Sequence, residues 1–245
     1  SYYNNSNLTG AYMYYSLFFL ILARISSSKR FLYNLIIILC LLVLIGSGTR
    51  SVMVALSASL ITYFVWKYIN KRKAMFVTYF LSIFTLLISF IFIYPLLPRW
   101  KYYSNLEFHM LKYTNKSIMS GRAGLWEIVI QKISQSPIFG FGTGVATNEV
   151  TYLNQSTHNL YLQIVFQNGG LGLFGFIILA LSLWLVFWKS SDLKTVQLSA
   201  SFFIGTLVYQ SFETTFIQNT LSVGAMQWFI IAIGISAHIY RYKEK

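Results

Sequence analysis

Two arginines and a histidine stand where this chain passes from polar to apolar sequence. Arg50 lies in GSGTRS, at the start of an apolar run, and Arg122 lies in SGRAG, at the start of a helical pattern. A helix N-terminus offers unpaired backbone N–H groups and a positive dipole end, which disfavours a cation by about 0.3–1 kcal/mol. An anion bound there gains from both the amides and the guanidinium, and the arginine fork suits diphosphate oxygens. His158 opens the next apolar run beside Asn159, where an imidazole could take a proton from a hydroxyl near neutral pH. Each residue also has a plainer reading. Arg50 would snorkel to lipid headgroups, Arg122 would be solvated beside Glu127 or Glu149, and His158 would be a structural interfacial histidine.

The surrounding residues extend the candidate site. Asn159, Gln163 and Gln167 recur at four-residue steps, so on a helix they form one polar stripe. Polar side chains inside lipid face protein or water, so the stripe lines a helix contact or an outward-opening cleft. Gly140, Gly142 and Gly144 alternate with Phe141 and Thr143 after Pro137. Asn159, Tyr161, Gln163, Gly140 and Gly142 are the candidate substrate contacts. Trp126, Tyr152, Glu149 and Glu213 stand behind them. Gly169, Gly170, Gly172 and Gly175 read as close helix packing along the same helix. The single aspartate, Asp192, leaves no Asp-x-Asp pair for a divalent metal, and His109, His158 and His238 are scattered. No H-E-x-x-H, G-x-S-x-G or Walker sequence occurs. Arginine electrostatics plus one base, with no metal or cofactor, is the expected chemistry.

The elements that must position these groups are membrane helices. Hydrophobic residues make up 56% of the 245 and charged residues 10%, against about 25% charged in soluble domains. Apolar length predicts an all-α polytopic bundle of about seven spans in a single membrane domain, residues 1–245. The spans are Tyr12–Ala23, Phe31–Ile45, Ser51–Tyr68, Met75–Leu97, Asn159–Trp188, Gln197–Phe212 and Leu221–Ile239. The first residue is Ser1, and no signal sequence follows, which predicts the C-terminal part of a longer protein. Cys40 sits inside an apolar run and reads as a small hydrophobe.

The net charge of +13 is explained by membrane topology rather than nucleic-acid binding. Twelve of the 19 basic residues, from Arg24 and Lys67 through Lys189 and Lys194 to Lys245, fall on alternate sides of successive spans. The positive-inside rule assigns those sides to the cytoplasm. The long loop 98–158 then faces outward, with a net charge of +3 able to meet an anionic substrate. Within it Ser120 is a plausible N-cap, and Ala123, Trp126 and Ile130 fall at helical spacing. They predict a short amphipathic helix over Gly121–Ser134.

Four pieces occur in order: SG-x-R, SGR-x-x-x-W, P-x-x-G-x-G-x-G and HN-x-Y-L-Q-x-x-x-x-x-G-x-x-G. From Gly46 to about Gly175 this set resembles the O-antigen ligase and O-antigen polymerase superfamily of bacterial inner-membrane glycosyltransferases. The resemblance implies a donor glycan on an undecaprenyl-diphosphate carrier, membrane lipid as surroundings, and other polysaccharide-assembly membrane proteins as candidate partners. It ties Arg50 and Arg122 to the carrier diphosphate and His158 to acceptor activation or positioning. Polymerases pass the glycan to a lipid-linked repeat unit, ligases to a lipid A core. The expectation is a metal-independent, inverting polymerase acting on the periplasmic or extracellular side. Ligase is the alternative, and a lipid-linked oligosaccharide transporter or a non-catalytic scaffold is the rival from another class.

Overall fold

The computed structural model describes residues 6–119, 121–151, 156–188, 193–217 and 221–243. Ser120, Tyr152, Lys189, Asp192 and Lys245 lie outside the described residues. The regular elements among the described residues are all helical. In chain order they are α1 (Ser6–Ser26), α2 (Arg30–Gly46), α3 (Arg50–Ile69), α4 (Lys73–Ile93), α5 (Tyr103–Thr114), α6 (Arg122–Ile133), α7 (Thr147–Val150), α8 (Leu160–Trp188), α9 (Lys194–Tyr209) and α10 (Leu221–Lys243). A 3-10 helix over Tyr94–Arg99 continues α4 past Pro95 and Pro98.

Each of the seven apolar segments coincides with a helix, but among the described residues five reach spanning length: α1, α3, α4, α8 and α10. The 17 residues of α2 rise only about 25 Å, short of the ~30 Å hydrocarbon layer. The 16 residues of α9 differ in kind. Every residue from Leu198 to Tyr209 is buried, so this apolar helix is enclosed by its neighbours. Of the seven expected spans, five are thus helices of spanning length among the described residues, and α2 and α9 are shorter.

The chain divides into two compact units, Ser1–Phe80 with Ala180–Lys245, and Leu81–Leu179. In the first, α9 packs against α1, α3 and α10. The Tyr14 and Ser59 hydroxyls hydrogen-bond at 2.6 Å, and the Tyr14 ring stacks on Phe202 at 5.1 Å. Gly205 lies against that pair, and a Cβ there would stand 2.0 Å from the Tyr14 hydroxyl. Small residues let membrane helices approach in this way. A buried polar knot completes the unit. The Gln227 amide donates to the Tyr15 hydroxyl at 2.9 Å and the Thr215 hydroxyl at 2.8 Å, and the Phe216 amide donates to Gln210 Oε1 at 3.1 Å. Buried polar groups of this kind must be mutually satisfied.

In the second unit, Trp126 of α6 is fully buried against Tyr94 and Phe90, with ring centroids at 4.7 and 5.8 Å. The Tyr94 hydroxyl donates to the Met119 carbonyl at 2.8 Å. Arg99 donates to Glu127 at 2.9 Å, and both side chains are largely exposed, so this ion pair contributes at most about 1 kcal/mol. α5 was not expected from the sequence. Its Glu107 accepts from the Ile118 amide at 2.9 Å and the Tyr103 hydroxyl at 3.2 Å. Partial burial, then the Glu107 charge, raises the Tyr103 pKa, so the phenol stays a donor at physiological pH.

Candidate active site

Arg122, in the second unit, is placed by a glycine. Gly121 is the N-cap of α6, with φ +75. Arg122 is the first helical residue, half-buried, and its amide donates to the Met119 carbonyl at 2.9 Å. Glu127 binds Arg99, and Glu149 accepts from the Ala146 amide at 2.9 Å.

One turn along α6, the Trp126 indole N–H donates to the Thr157 carbonyl at 2.8 Å. Thr157 directly precedes His158, so the helix that begins with Arg122 is pinned to the turn that carries the histidine. Thr157 is itself fully buried and acts as a hub. Its hydroxyl makes short contacts to the Asn159 carbonyl at 2.9 Å and Gln163 Oε1 at 3.0 Å. His158 is half-buried and has φ +47, a left-handed backbone uncommon outside glycine although histidine is enriched among the exceptions. Asn159 then caps α8, its Oδ1 accepting from the Leu162 amide at 2.9 Å. An asparagine cap of this kind is worth about 1 kcal/mol. The histidine is thus held between a pinned carbonyl and a capped helix start.

The polar stripe is spent inside the protein. Asn159, Gln163 and Gln167 are 0%, 5% and 5% exposed, and the Gln167 amide donates to the Val145 carbonyl at 2.9 Å. Tyr161 is also buried, edge-on to Phe84 at 5.4 Å and to Phe176 at 6.0 Å. Gln163 and Gln167 thus bond loop residues, Thr157 and Val145.

The glycines do not continue one helix. α8 is broken at Gly169, with φ +62 and ψ −165, a conformation essentially reserved for glycine. The loop after Pro137 fills the break. The Phe141 and Gly142 amides donate to the Phe166 and Gln167 carbonyls at 3.0 and 2.9 Å. Below the break, the Gly170 and Leu171 amides donate to the Pro137 and Ile138 carbonyls at 2.8 and 3.3 Å. The fit is tight: a Cβ on Gly140 would lie 2.5 Å from the Gln167 backbone, and one on Gly169 would lie 2.1 Å from the Ile138 carbonyl oxygen. Gly140 and Gly142 therefore clamp α8, and the Gly142 amide is already committed. Below the break, Gly170–Trp188 rises about 28 Å and matches the ~30 Å hydrocarbon layer by itself. The half-helix carrying the stripe is surplus to that thickness.

Arg50 belongs to the first unit. It is the first residue of α3, half-buried, after the extended and buried Thr49. The Thr49 hydroxyl donates to the Ser6 carbonyl at 2.9 Å and so ties this helix start to α1. Among the described residues, no group of three or more His, Cys, Asp or Glu side chains forms a metal-binding set.

A model of the family described as O-antigen ligase matches residues 35–177. The chain belongs to the O-antigen ligase family. No curated protein and no solved structure matches it. The O-antigen ligase match opens in α2 and closes in α8, so it includes Arg50, Arg122, the glycine clamp and His158, while α9 and α10 lie beyond it. Membership makes this a multi-pass membrane protein of glycosyltransferase type. Sequence reasoning undervalued Trp126 and passed over Thr157. The signal available was the adjacency of Thr157 to the His-Asn pair; the indole bond across 31 residues leaves no mark in spacing.

Proposed function

We propose that the protein transfers glycan from a polyprenyl-diphosphate carrier to a hydroxyl of a lipid-linked repeat unit, as a polysaccharide polymerase on the outer face of the bacterial cytoplasmic membrane. The observation that supports it best is the Trp126–Thr157 hydrogen bond, which couples the helix headed by Arg122 to the turn bearing His158. In the reaction, the acceptor oxygen attacks the anomeric carbon and its proton passes to the His158 imidazole. The bond from that carbon to the diphosphate breaks, and the electron pair leaves with the lipid diphosphate. Arg122 stabilises the charge gathering on the leaving group. Removal of the acceptor proton is worth about 10²–10⁴-fold. Attack opposite the leaving group inverts the anomeric centre. Arg50 is given a diphosphate role on its motif alone. Strain at the left-handed His158, on the order of 1–3 kcal/mol, is the kind of cost retained at functional positions.

Ligase activity is the second reading, favoured by the description of the matched family. Deleting the full gene separates them. Loss of long chains with single repeats retained supports polymerase; normal chain length with loss of surface attachment supports ligase. Accumulation of lipid-linked units on the cytoplasmic face would instead indicate a transporter.

A further inference from the structure

The first unit holds an apolar groove that the transferase reading does not use. Its volume is about 370 Å³. Three helical stripes at four-residue spacing form its walls: Leu17, Ile21 and Ile25 on α1; Leu56, Leu60 and Phe64 on α3; Lys194, Leu198 and Phe202 on α9. Ile37 and Leu41 of α2 line it as well. The polar side chains in the lining add little polarity. The Ser59 hydroxyl bonds Tyr14, and the Ser201 hydroxyl donates to the Gln197 carbonyl at 2.8 Å. What remains is a largely apolar trough, and among the described lining residues its cation is Lys194.

The groove has a direction. α9 runs opposite to α1 and α3: Gln197, near its start, donates to the Tyr63 carbonyl at 2.9 Å, while Phe202, farther along, stacks on Tyr14. Lys194 therefore lies at the end of the groove marked by Ile25 and Phe64. Arg24 and Lys67 occupy the same ends of α1 and α3. Toward the opposite end Tyr14 bonds Ser59 and stacks on Phe202. Each wall stripe covers eight residue steps, about 12 Å, close to the depth of one leaflet in a hydrocarbon layer of ~30 Å. Leu60 and Phe64 are 48% and 69% exposed, so the trough is open on one side.

We infer that this groove is a binding site for one acyl chain of an anionic phospholipid, whose headgroup phosphate sits at Lys194. The trough matches the length of a chain within one leaflet, and the exposed cation at its Ile25–Phe64 end complements a phosphate at headgroup depth. A zwitterionic lipid would fill the trough equally but gain less from the basic end. A lysine near an anionic membrane surface favours such lipids by about fivefold. This inference stands apart from the transferase reading.

The test uses the full-length protein in phosphatidylcholine vesicles carrying a trace of photoactivatable phosphatidylglycerol or photoactivatable phosphatidylcholine. Labelled peptides are mapped by mass spectrometry. The phosphatidylglycerol probe should label the groove stripes of α1 and α3 about fivefold more than the phosphatidylcholine probe. Lys194→Gln, a change at an exposed side chain, should bring the two probes level, and Lys194→Arg should keep the difference. Leu198→Trp, which fills the trough, should lower labelling by both. Equal labelling of the wild type, an unchanged ratio in Lys194→Gln, or probes excluded from these stripes by a covering protein segment would each overturn the proposal.

Discussion

Replacing Trp126 by phenylalanine removes one donor and keeps most of the ring. The Thr157 carbonyl loses the indole N–H that approaches it at 2.8 Å, in surroundings where both residues are fully buried. A buried acceptor stripped of its donor costs about 1–3 kcal/mol. The aromatic contacts with Tyr94 and Phe90 persist in part, so the protein should fold with a lower unfolding temperature. The larger expected effect is on turnover. His158 is the next residue along, and a shift of about 1 Å in a positioned group can cost about 100-fold. With purified full-length protein and a lipid-diphosphate oligosaccharide, kcat should fall about 10–100-fold, or roughly 1.4–2.8 kcal/mol in barrier. KM for the donor should change little, since Arg122 keeps its place at the head of α6. Glu127→Gln, which breaks only an exposed ion pair, should leave kcat within about twofold. A Trp126→Phe protein that is destabilised yet retains wild-type kcat would refute the coupling, because the indole would then be a packing group only.

Further predictions concern the clamp, the diphosphate contact and the polar knot. Gly169→Ala forces a side chain into a glycine-only conformation 2.1 Å from the Ile138 oxygen and threatens four backbone hydrogen bonds. It should lower stability by about 3 kcal/mol or more, seen as a lower unfolding temperature and faster proteolysis between Pro137 and Gly144. Arg122→Lys keeps the charge and loses the fork, so transfer should drop at least about tenfold if the guanidinium grips two oxygens; full activity would reduce its role to simple charge. Arg50→Ala should weaken donor use, and an unaltered KM and kcat would remove it from the site. Gln227→Leu strips partners from Tyr15 and Thr215 and should cost about 1–3 kcal/mol in stability with activity per folded molecule retained.

Most of the helical architecture was legible because lipid imposes long apolar runs. α9 is as greasy as a short span, but its complete burial comes from its neighbours, and a single sequence does not show them. The stripe Asn159, Gln163 and Gln167 had the correct period, yet its hydrogen-bond partners, Thr157 and Val145, lie on loop segments that periodicity cannot reach. The pair Gly169-Gly170 in an apolar run read as packing glycine. Its true role depends on the loop from Pro137 to Gly144 entering the break, which is a tertiary event. Arg122 and His158 are candidates from residue type and position at segment boundaries. The link between them, through Trp126, depends on a contact across 31 residues and needed coordinates.

The most direct measurement is single-turnover transfer by the purified full-length protein, wild type against His158→Ala, with a defined polyprenyl-diphosphate oligosaccharide. Glycosidic product and released lipid diphosphate should appear together in the wild type. The variant should bind the donor as before while its rate drops at least about 10²-fold. Equal rates for the two proteins, or no glycosidic product from the wild type, would contradict the account.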